Sequence, residues 1–204
     1  MNKAAGIHMP KAKNQAWEHI LEMARGVHRE TPALSTFAPW PSDLTITPQA
    51  VPQEQPETAI NAVKAYGASH SLIKADQNHA DNLVWKQSYR DDDLGRDFMD
   101  HYGYIELFGP NGMFISHQCR GFIGYWGAGL IYPMHQHAAE EIYLVLEGSV
   151  TFEGQDQEPI LYRKSQTRHH SPYEPHAMRI GEKGFMTFAL WRGKDMAQPP
   201  RLMV

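Results

Sequence analysis

Two histidines, a glutamate and a tyrosine stand close together in the stretch GLIYPMHQHAAEEIYLVLEG, residues 129 to 148. One residue separates His135 from His137. Alternate side chains of a strand share a face, so both imidazoles can reach one point. The three residues between His137 and Glu141 suit a bend, after which a returning strand would carry Glu141 and Tyr143 on one face. Two imidazoles and a carboxylate that converge in this way are ligands for a divalent transition metal.

A solvated polar loop is the alternative for these residues, because a single histidine in a strand is usually a surface or core residue. Two glycines argue against that alternative. Five residues separate Gly129 from His135, six separate Glu141 from Gly148, and apolar residues alternate through the second interval. The pattern therefore favours a metal site between two strands.

Two tyrosines lie within the same frame. Tyr143 has the parity of Glu141, which predicts that its phenol points into the same interior. Tyr132 has the opposite parity to His135 and would face outward in a regular strand, although Pro133 can disturb that count. A buried tyrosine is usually a core residue with a bonded hydroxyl. Beside a divalent cation, a phenol with an ordinary pKa of ~10 loses its proton more easily and becomes a usable base.

The elements that must position these residues change character near residue 80. Apolar spacing predicts a helix from Asn14 to Arg29 and a second from Glu57 through Tyr66, and leaves open whether the second continues through His70. Six prolines between Pro32 and Pro56 predict an irregular segment or a linker. Whether this segment forms a lid over the site is left open.

Later in the chain the sequence predicts short strands separated by glycine and proline, with a turn or helix around residues 91 to 102. The predicted strands are LVWKQSY, YIELF, MFISH, GFIGYW, LIYPMH, IYLVL, SVTFE and FMTFALW. The sequence thus predicts a mainly β protein. We expect an N-terminal helical region with the proline-rich segment over residues 1–80 and a β-barrel domain over residues 81–204.

Composition excludes several kinds of partner. With 19 basic and 23 acidic residues the formal charge is -4, which gives no footprint for nucleic acid or an anionic membrane. No apolar run approaches the ~20 residues of a membrane span, and the start MNKAAGIHMPKAKNQAWEH lacks the apolar core of a secretory signal. The single cysteine, Cys119, cannot form an internal disulfide, which predicts a reducing, cytoplasmic location. The oligomeric state is not predicted.

The spacing of Gly129, His135, His137, Glu141 and Gly148 resembles the first signature of the cupin superfamily. This resemblance implies a double-stranded β-helix barrel with a metal inside it and a further histidine ligand on a later strand. Cupins carry out many reactions, so the resemblance alone leaves the chemistry open.

The later ligand must come from the stretch RHHSPYEPHAMRI, which offers His169, His170 and His176. Cupins place this histidine near a turn that contains proline and glycine, and residues 172 to 176 stand in the corresponding place. The sequence departs from the common form because it lacks the glycine and has Ile180 in place of asparagine. We favour His176, since the residues after it read as a strand, and the alternative for the other two is an exposed loop.

The chain also resembles one cupin family, the dimethylsulfoniopropionate lyases of the DddQ type. The residues that carry this resemblance are YPMHQHAAEEIYLVLEG, PHAMR and ALWRG, together with the chain length and the helical start. It implies cleavage of dimethylsulfoniopropionate to dimethyl sulfide and acrylate. It also implies one divalent metal ion, with zinc, iron or manganese expected, held by His137, Glu141 and His176 with His135 close by. The implied base is Tyr143 first and Tyr132 second.

The implied small-molecule substrate carries a sulfonium, a cation without hydrogen-bond donors, which aromatic faces can hold. The candidates for this role are Trp85, Tyr89, Trp126 and Trp191, although each alone is more often a core residue. Two other functions stay open for the sequence. One is a ferrous dioxygenase, whose ligands would look the same, and the other is a cupin that binds a ligand without catalysis.

Overall fold

Helices make up most of the first hundred residues in the computed structural model, which describes residues 11–47 and 55–203. The α-helices in these ranges are Lys11–Glu30 (α1), Pro32–Phe37 (α2), Glu57–Ala65 (α3), Ser71–His79 (α4), Asp91–Leu94 (α5) and Arg96–Asp100 (α6). A short 3-10 helix, Ala80–Asn82, follows α4. No helix of the described ranges is long and apolar enough to cross a membrane.

Both predicted N-terminal helices are confirmed with shifted ends. Helix α1 begins three residues before Asn14, and the backbone turns extended at Tyr66, so α4 is a separate helix. The prediction that the whole proline-rich segment is irregular was wrong at its start. Pro32 opens α2, because a proline in the first helical turn gives up an N–H that has no partner there. Residues 48–54 of this segment lie outside the described ranges.

The strands form one sheet that closes around an interior, and all but one of the described pairings are antiparallel. The strands are Thr45–Ile46 (β1), Trp85–Lys86 (β2), Tyr102–Gly109 (β3), Phe114–Ile115 (β4), Arg120–Trp126 (β5), Ile131–Gln136 (β6), Glu140–Gly154 (β7), Gln157–Arg163 (β8), Thr167–His170 (β9), His176–Arg192 (β10) and Arg201–Leu202 (β11). Strand β10 contacts β5, β6 and β7. The chain is therefore mainly β with a helical N-terminal region, as predicted.

The two longest strands, β7 and β10, pair along almost their whole length. Their register shifts where Gly148 and Gly184 meet, and both glycines have positive φ, 76° and 79°. A Cβ on Gly148 would lie 2.0 Å from the carbonyl oxygen of Gly184. The last glycine of the spaced pattern is therefore required by the close approach of these two strands.

Successive residues of β7 face opposite sides of the sheet, as the predicted alternation requires. Tyr143 and Val145 belong to the cluster of buried residues inside the barrel, on the same side as Glu141. Ile142, Leu144 and Leu146 belong to a second cluster, which they share with buried side chains of α1 to α4. The helices thus cover the outer face of the strand that carries the site. Because this cluster spans residues before and after position 80, the two-part division stays a prediction.

Candidate metal centre and cavity

A bulge at Pro133 directs Tyr132 and His135 to the same side of β6. His135 pairs with His176, and Tyr132 pairs with Met178. The interval between the two pairs is three residues on β6 but only two on β10, so β6 carries one extra residue. Proline cannot donate to the ladder and is found at such irregularities. The two rings stack inside the barrel with centroids 3.9 Å apart. Tyr132 would face outward in a regular strand, and the irregularity at Pro133 that the sequence allowed for turns it inward.

Three buried side chains bring ligand atoms together at the centre of the barrel. Nε2 of His137 lies 2.9 Å from Oε2 of Glu141, and Nε2 of His176 lies 3.8 Å from the same oxygen. All three atoms lie within 4.8 Å of one another. This separation suits a single cation between them, because ligand atoms about 2 Å from a metal lie roughly 3 Å apart.

Backbone carbonyls fix how each imidazole is oriented. Nδ1 lies 2.8 Å from the carbonyl oxygen of Ala139 in His137 and 2.8 Å from that of Glu174 in His176. A carbonyl oxygen only accepts, so each Nδ1 carries a proton and the neutral ring keeps its lone pair on Nε2. Both lone pairs point inward. Outer hydrogen bonds of this kind are typical of histidines that bind metals.

One buried nitrogen of this centre lacks a partner in the described part of the chain, and the other groups carry opposed charge effects. Nε2 of His176 is buried and has no hydrogen-bond partner within the described residues. Burial opposes protonation of His137, but the Glu141 carboxylate outweighs it and raises the pKa of that ring. Burial also opposes the charge on Glu141, which His137 offsets, so the pKa of this carboxyl is lowered. Two imidazole nitrogens and a carboxylate oxygen that face one another, one nitrogen without a partner in the described ranges, fit a divalent cation.

His135, predicted as a ligand, lies beside this group and is not part of it. Its ring centroid is 4.1 Å from that of His176, and its Nδ1 bonds to the carbonyl oxygen of Pro133 at 2.9 Å. Burial and then the proximity of His176 lower the pKa of His135 well below its ordinary value, so the ring is neutral. His135 as a fourth ligand stays a prediction.

Tyr143 points into the barrel two residues after Glu141, where the parity of β7 places it. Its side chain is 5 % exposed and lines the cavity beside His137 and Glu141. Burial and then the negative charge of Glu141 raise the pKa of Tyr143 well above 10.0. Without a bound metal ion this phenol is therefore neutral. A positive charge near its oxygen would lower the pKa again.

The four aromatic residues predicted to hold substrate fall in different places. Trp126 and Trp191 line the cavity. The hydroxyl of Tyr89 lies 2.7 Å from that of Tyr132, behind the cavity wall. Trp85 belongs to the outer cluster, where its indole donates to the carbonyl oxygen of Ala80. Trp85 faces the helices because its position on β2 has outward parity, so the structure does not bring it to the site.

The cavity has a volume of about 360 Å³ and joins the ligand candidates to residues that sequence reasoning missed. The missed aromatic residues are Tyr102, Tyr104 and Phe122, and the missed polar residues are Lys86, Glu106, Asn111 and Arg120. Alternation within the predicted strands YIELF and GFIGYW was the signal that could have identified several of them. Their common face is visible only once β3 and β5 are paired.

His170 is a further buried residue that the sequence did not reveal. It is fully buried on β9 and is the register partner of Glu141, so the alternative of an exposed loop was wrong for this residue. Neither of its ring nitrogens has a hydrogen-bond partner in the described chain. His169, the preceding residue, faces outward and bonds to Glu140. The structure places Nε2 of His176 3.8 Å from Oε2 of Glu141, and its role as a ligand stays a prediction.

The antiparallel barrel, the spaced glycines and the buried histidines and glutamate define this protein as a cupin. A family model described as dimethylsulfoniopropionate lyase matches residues 41–187. The chain belongs to this family.

Relatives match over nearly the whole chain. The dimethylsulfoniopropionate lyase DddQ of Ruegeria pomeroyi DSS-3 is 33% identical over 195 residues, which cover 92% of this chain and 94% of the relative. The crystal structure of DddQ from the same organism has a TM-score of 0.84 at 31% identity and covers 93% of this chain and 96% of that one. A crystal structure from work on the dimethylsulfoniopropionate lyases RdDddP and RnDddQII has a TM-score of 0.87 at 33% identity, with 94% and 100% covered.

Proposed function

We propose that this chain is a metal-dependent dimethylsulfoniopropionate lyase that forms dimethyl sulfide and acrylate by a tyrosine-initiated β-elimination. One observation carries the proposal. Tyr143, His137 and Glu141 line the same cavity, and His176 completes the convergent group with His137 and Glu141. Membership of the family supplies the substrate class.

The reaction requires a base, a place for negative charge and an exit for a neutral sulfide. The base removes a proton from the carbon next to the carboxylate. The electron pair of that C–H bond forms the double bond of acrylate, and the electrons of the carbon–sulfur bond leave with sulfur as dimethyl sulfide. The proton stays on the base until it is released to solvent, so atoms and charge balance.

His137, Glu141 and His176 are the residues that would hold the metal, with His135 proposed as a fourth ligand and zinc, iron or manganese as the ion. When bound, a divalent cation supplies Lewis acidity for a substrate carboxylate and positive charge beside the phenol of Tyr143. The carbonyl groups that bind Nδ1 of His137 and His176 hold both rings in place.

Tyr143 is the proposed base. Its high pKa in the protein alone comes from burial and from Glu141, and the second of these is offset when Glu141 is neutralised. Tyr132 is the second candidate. It lies in the same cavity, stacked on His135, but its hydroxyl is already bonded to Tyr89 at 2.7 Å.

Besides Tyr143, six aromatic side chains contribute to the cavity lining, which suits the sulfonium. A sulfonium offers no hydrogen-bond donor, and a desolvated cation over an aromatic face gains about 2 kcal/mol. The aromatic residues of this wall are Tyr102, Tyr104, Phe122, Trp126, Tyr132 and Trp191. We therefore propose that the cation rests against the rings of this wall that Arg120 does not already contact. Tyr89 lies behind this wall, so it would affect the bound substrate only through its hydrogen bond to Tyr132.

The proposed substrate is a small molecule, and no nucleic acid or membrane partner is proposed. A cytoplasmic location is also proposed, from the single cysteine, Cys119, which is buried.

The test is release of dimethyl sulfide, measured by gas chromatography, with acrylate followed by liquid chromatography. The purified chain is loaded with Zn²⁺, Fe²⁺ or Mn²⁺ and incubated with dimethylsulfoniopropionate. We expect release in equal amounts of both products, and its loss in His137→Ala. His169→Ala removes an exposed histidine and is the matched control. No release from any loaded form would reject the proposal, and oxygen uptake with a thiol or diketone substrate would indicate a dioxygenase instead.

A further inference from the structure

Arg120 is a buried cation in the cavity wall that the proposed reaction does not use. It is the first residue of β5, is 6% exposed and is the register partner of Trp191 on β10. Nη2 donates to Oε2 of Glu106 at 2.9 Å, and Nη1 donates to the carbonyl oxygen of Met196 at 2.6 Å. The guanidinium is thus held from two sides.

The held guanidinium faces two aromatic rings. Its Cζ atom lies 4.5 Å from the ring centroid of Phe122 and 5.3 Å from that of Trp191. Arginine is well suited to such a position because its planar group can form hydrogen bonds at its edge while its face contacts a ring. Glu106 is itself 1% exposed and also accepts from the backbone N–H of Asn111 and from Nζ of Lys86 at 3.3 Å. The Glu106 carboxylate that binds Arg120 is therefore itself held in place.

Trp191 connects this buried cation to the metal ligands. Its indole Nε1 donates to Oε1 of Glu141 at 2.5 Å, and its ring stacks on that of His137 with centroids 4.3 Å apart and planes 27° from parallel. The indole thus contacts two of the three ligand candidates on one side and Arg120 on the other. Oε1 of Glu141 is engaged by this bond, which leaves Oε2 to face the histidines.

A buried ion pair is weak grounds for stability, because taking two charges out of water costs about as much as their attraction returns. The Arg120–Glu106 pair therefore calls for another reason at this place in the wall. We propose that Arg120 is a positioning residue for the metal centre. It holds the Trp191 indole so that Glu141 presents one defined oxygen, Oε2, to the ion. This inference rests on the metal centre of the proposed function.

The test is Co²⁺ binding by the full chain, followed by chelator competition and by the visible absorption of the bound ion, which reports its ligand geometry. We expect Arg120→Met to weaken Co²⁺ binding about 10-fold, the lower end for residues that orient metal ligands, and to change the spectrum. Arg120→Lys keeps the charge but loses the planar face, so we expect it not to restore either property.

Arg192→Met is the matched control. Arg192 follows Trp191 on β10 but faces the other side, where it pairs with Glu140 and contacts the Phe37 ring at 4.4 Å. Its loss removes an arginine–glutamate pair and a cation–ring contact of the same kind without touching the indole. We expect wild-type Co²⁺ affinity and spectrum.

Two results distinguish a failure of the role inferred for Arg120 from a failure of the proposed metal centre. If the wild type binds no Co²⁺, or His137→Ala binds it equally well, the metal centre is rejected and the inference with it. If the wild type binds Co²⁺ through His137 and both Arg120 variants, folded by circular dichroism, keep its affinity and spectrum, the inference alone is overturned. Should Arg120→Met fail to fold, Arg120→Lys and Glu106→Gln decide the question by the same two measurements.

Discussion

The imidazole of His170 stacks on that of His176, with ring centroids 3.9 Å apart and planes 20° from parallel. Only one of these rings belongs to the ligand group, and burial lowers the pKa of His170 so strongly that it stays neutral. His170 therefore acts as a flat packing partner for a ligand.

This relationship predicts different outcomes for two substitutions. His170→Leu fills most of the same volume, so we expect retained zinc and a melting temperature within a few degrees of the wild type. His176→Leu removes a ligand atom, so we expect loss of stoichiometric zinc. Elemental analysis after dialysis measures both. Zinc loss from folded His170→Leu would contradict this expectation and show that the metal centre depends on the His170 imidazole itself.

Tyr143→Phe removes the proposed base without removing a proposed histidine or carboxylate ligand. General bases contribute about 10²- to 10⁴-fold to rate, so we expect kcat for dimethyl sulfide release to fall at least ~100-fold with metal content retained. Tyr132→Phe should cause a smaller loss. Tyr162→Phe, on β8 and outside the cavity lining, is the control. A reversed order for Tyr143 and Tyr132 would assign the base to Tyr132.

Much of the site could be predicted, because the face on which a strand residue lies and the residue type that a turn needs both depend on nearby positions in the sequence. The positions of Glu141 and Tyr143 follow from alternation along β7. Gly148 marks a positive φ and a close approach of two backbones. His176 was identified from its neighbours in the chain.

The rest depends on contacts between distant strands. Tyr132 faces inward because β6 bulges in its pairing with β10. In the sequence, Pro133 indicated that an irregularity was possible but did not give the register. Trp85 faces outward because β2 pairs with β3 in a register that the sequence does not state. Arg120 and Glu106 meet from different strands, and no local pattern connects them. Tertiary pairing therefore decided which side chains reach the cavity.

The aromatic wall predicts that charge and shape, more than sulfur itself, determine binding. We expect 3-(trimethylammonio)propionate, which has a cation of similar size, to inhibit competitively, since aromatic faces attract any such cation. The neutral isostere 4,4-dimethylpentanoate should bind about 30-fold more weakly, because roughly 2 kcal/mol of cation–ring attraction is lost. Inhibition constants from the dimethyl sulfide assay measure both. Equal inhibition by the two would contradict recognition of the cation by the wall.

Asp76, far from the reaction, is expected to make the stability of the chain depend on pH. This residue of α4 is fully buried, and neither carboxyl oxygen has a hydrogen-bond partner among residues 11–47 and 55–203. Burial raises the pKa of Asp76 from 3.8 to about 8. Between these values the folded chain holds a proton that the unfolded chain has released, so stability is greatest below pH 4 for this group and falls as pH rises toward 8.

Asp76→Asn keeps the size of the side chain but cannot ionise. We expect the free energy of unfolding of the wild type to decrease by a few kcal/mol between pH 5 and 8.5, on the order of the linked pKa shift, and that of Asp76→Asn to decrease much less. Urea unfolding followed by circular dichroism at several pH values measures the difference. Asp97→Asn, at a carboxylate that is 90% exposed, is the control and should keep the wild-type slope. Parallel pH profiles for wild type and Asp76→Asn would show that Asp76 is ionised in the folded chain and that a compensating charge reaches it.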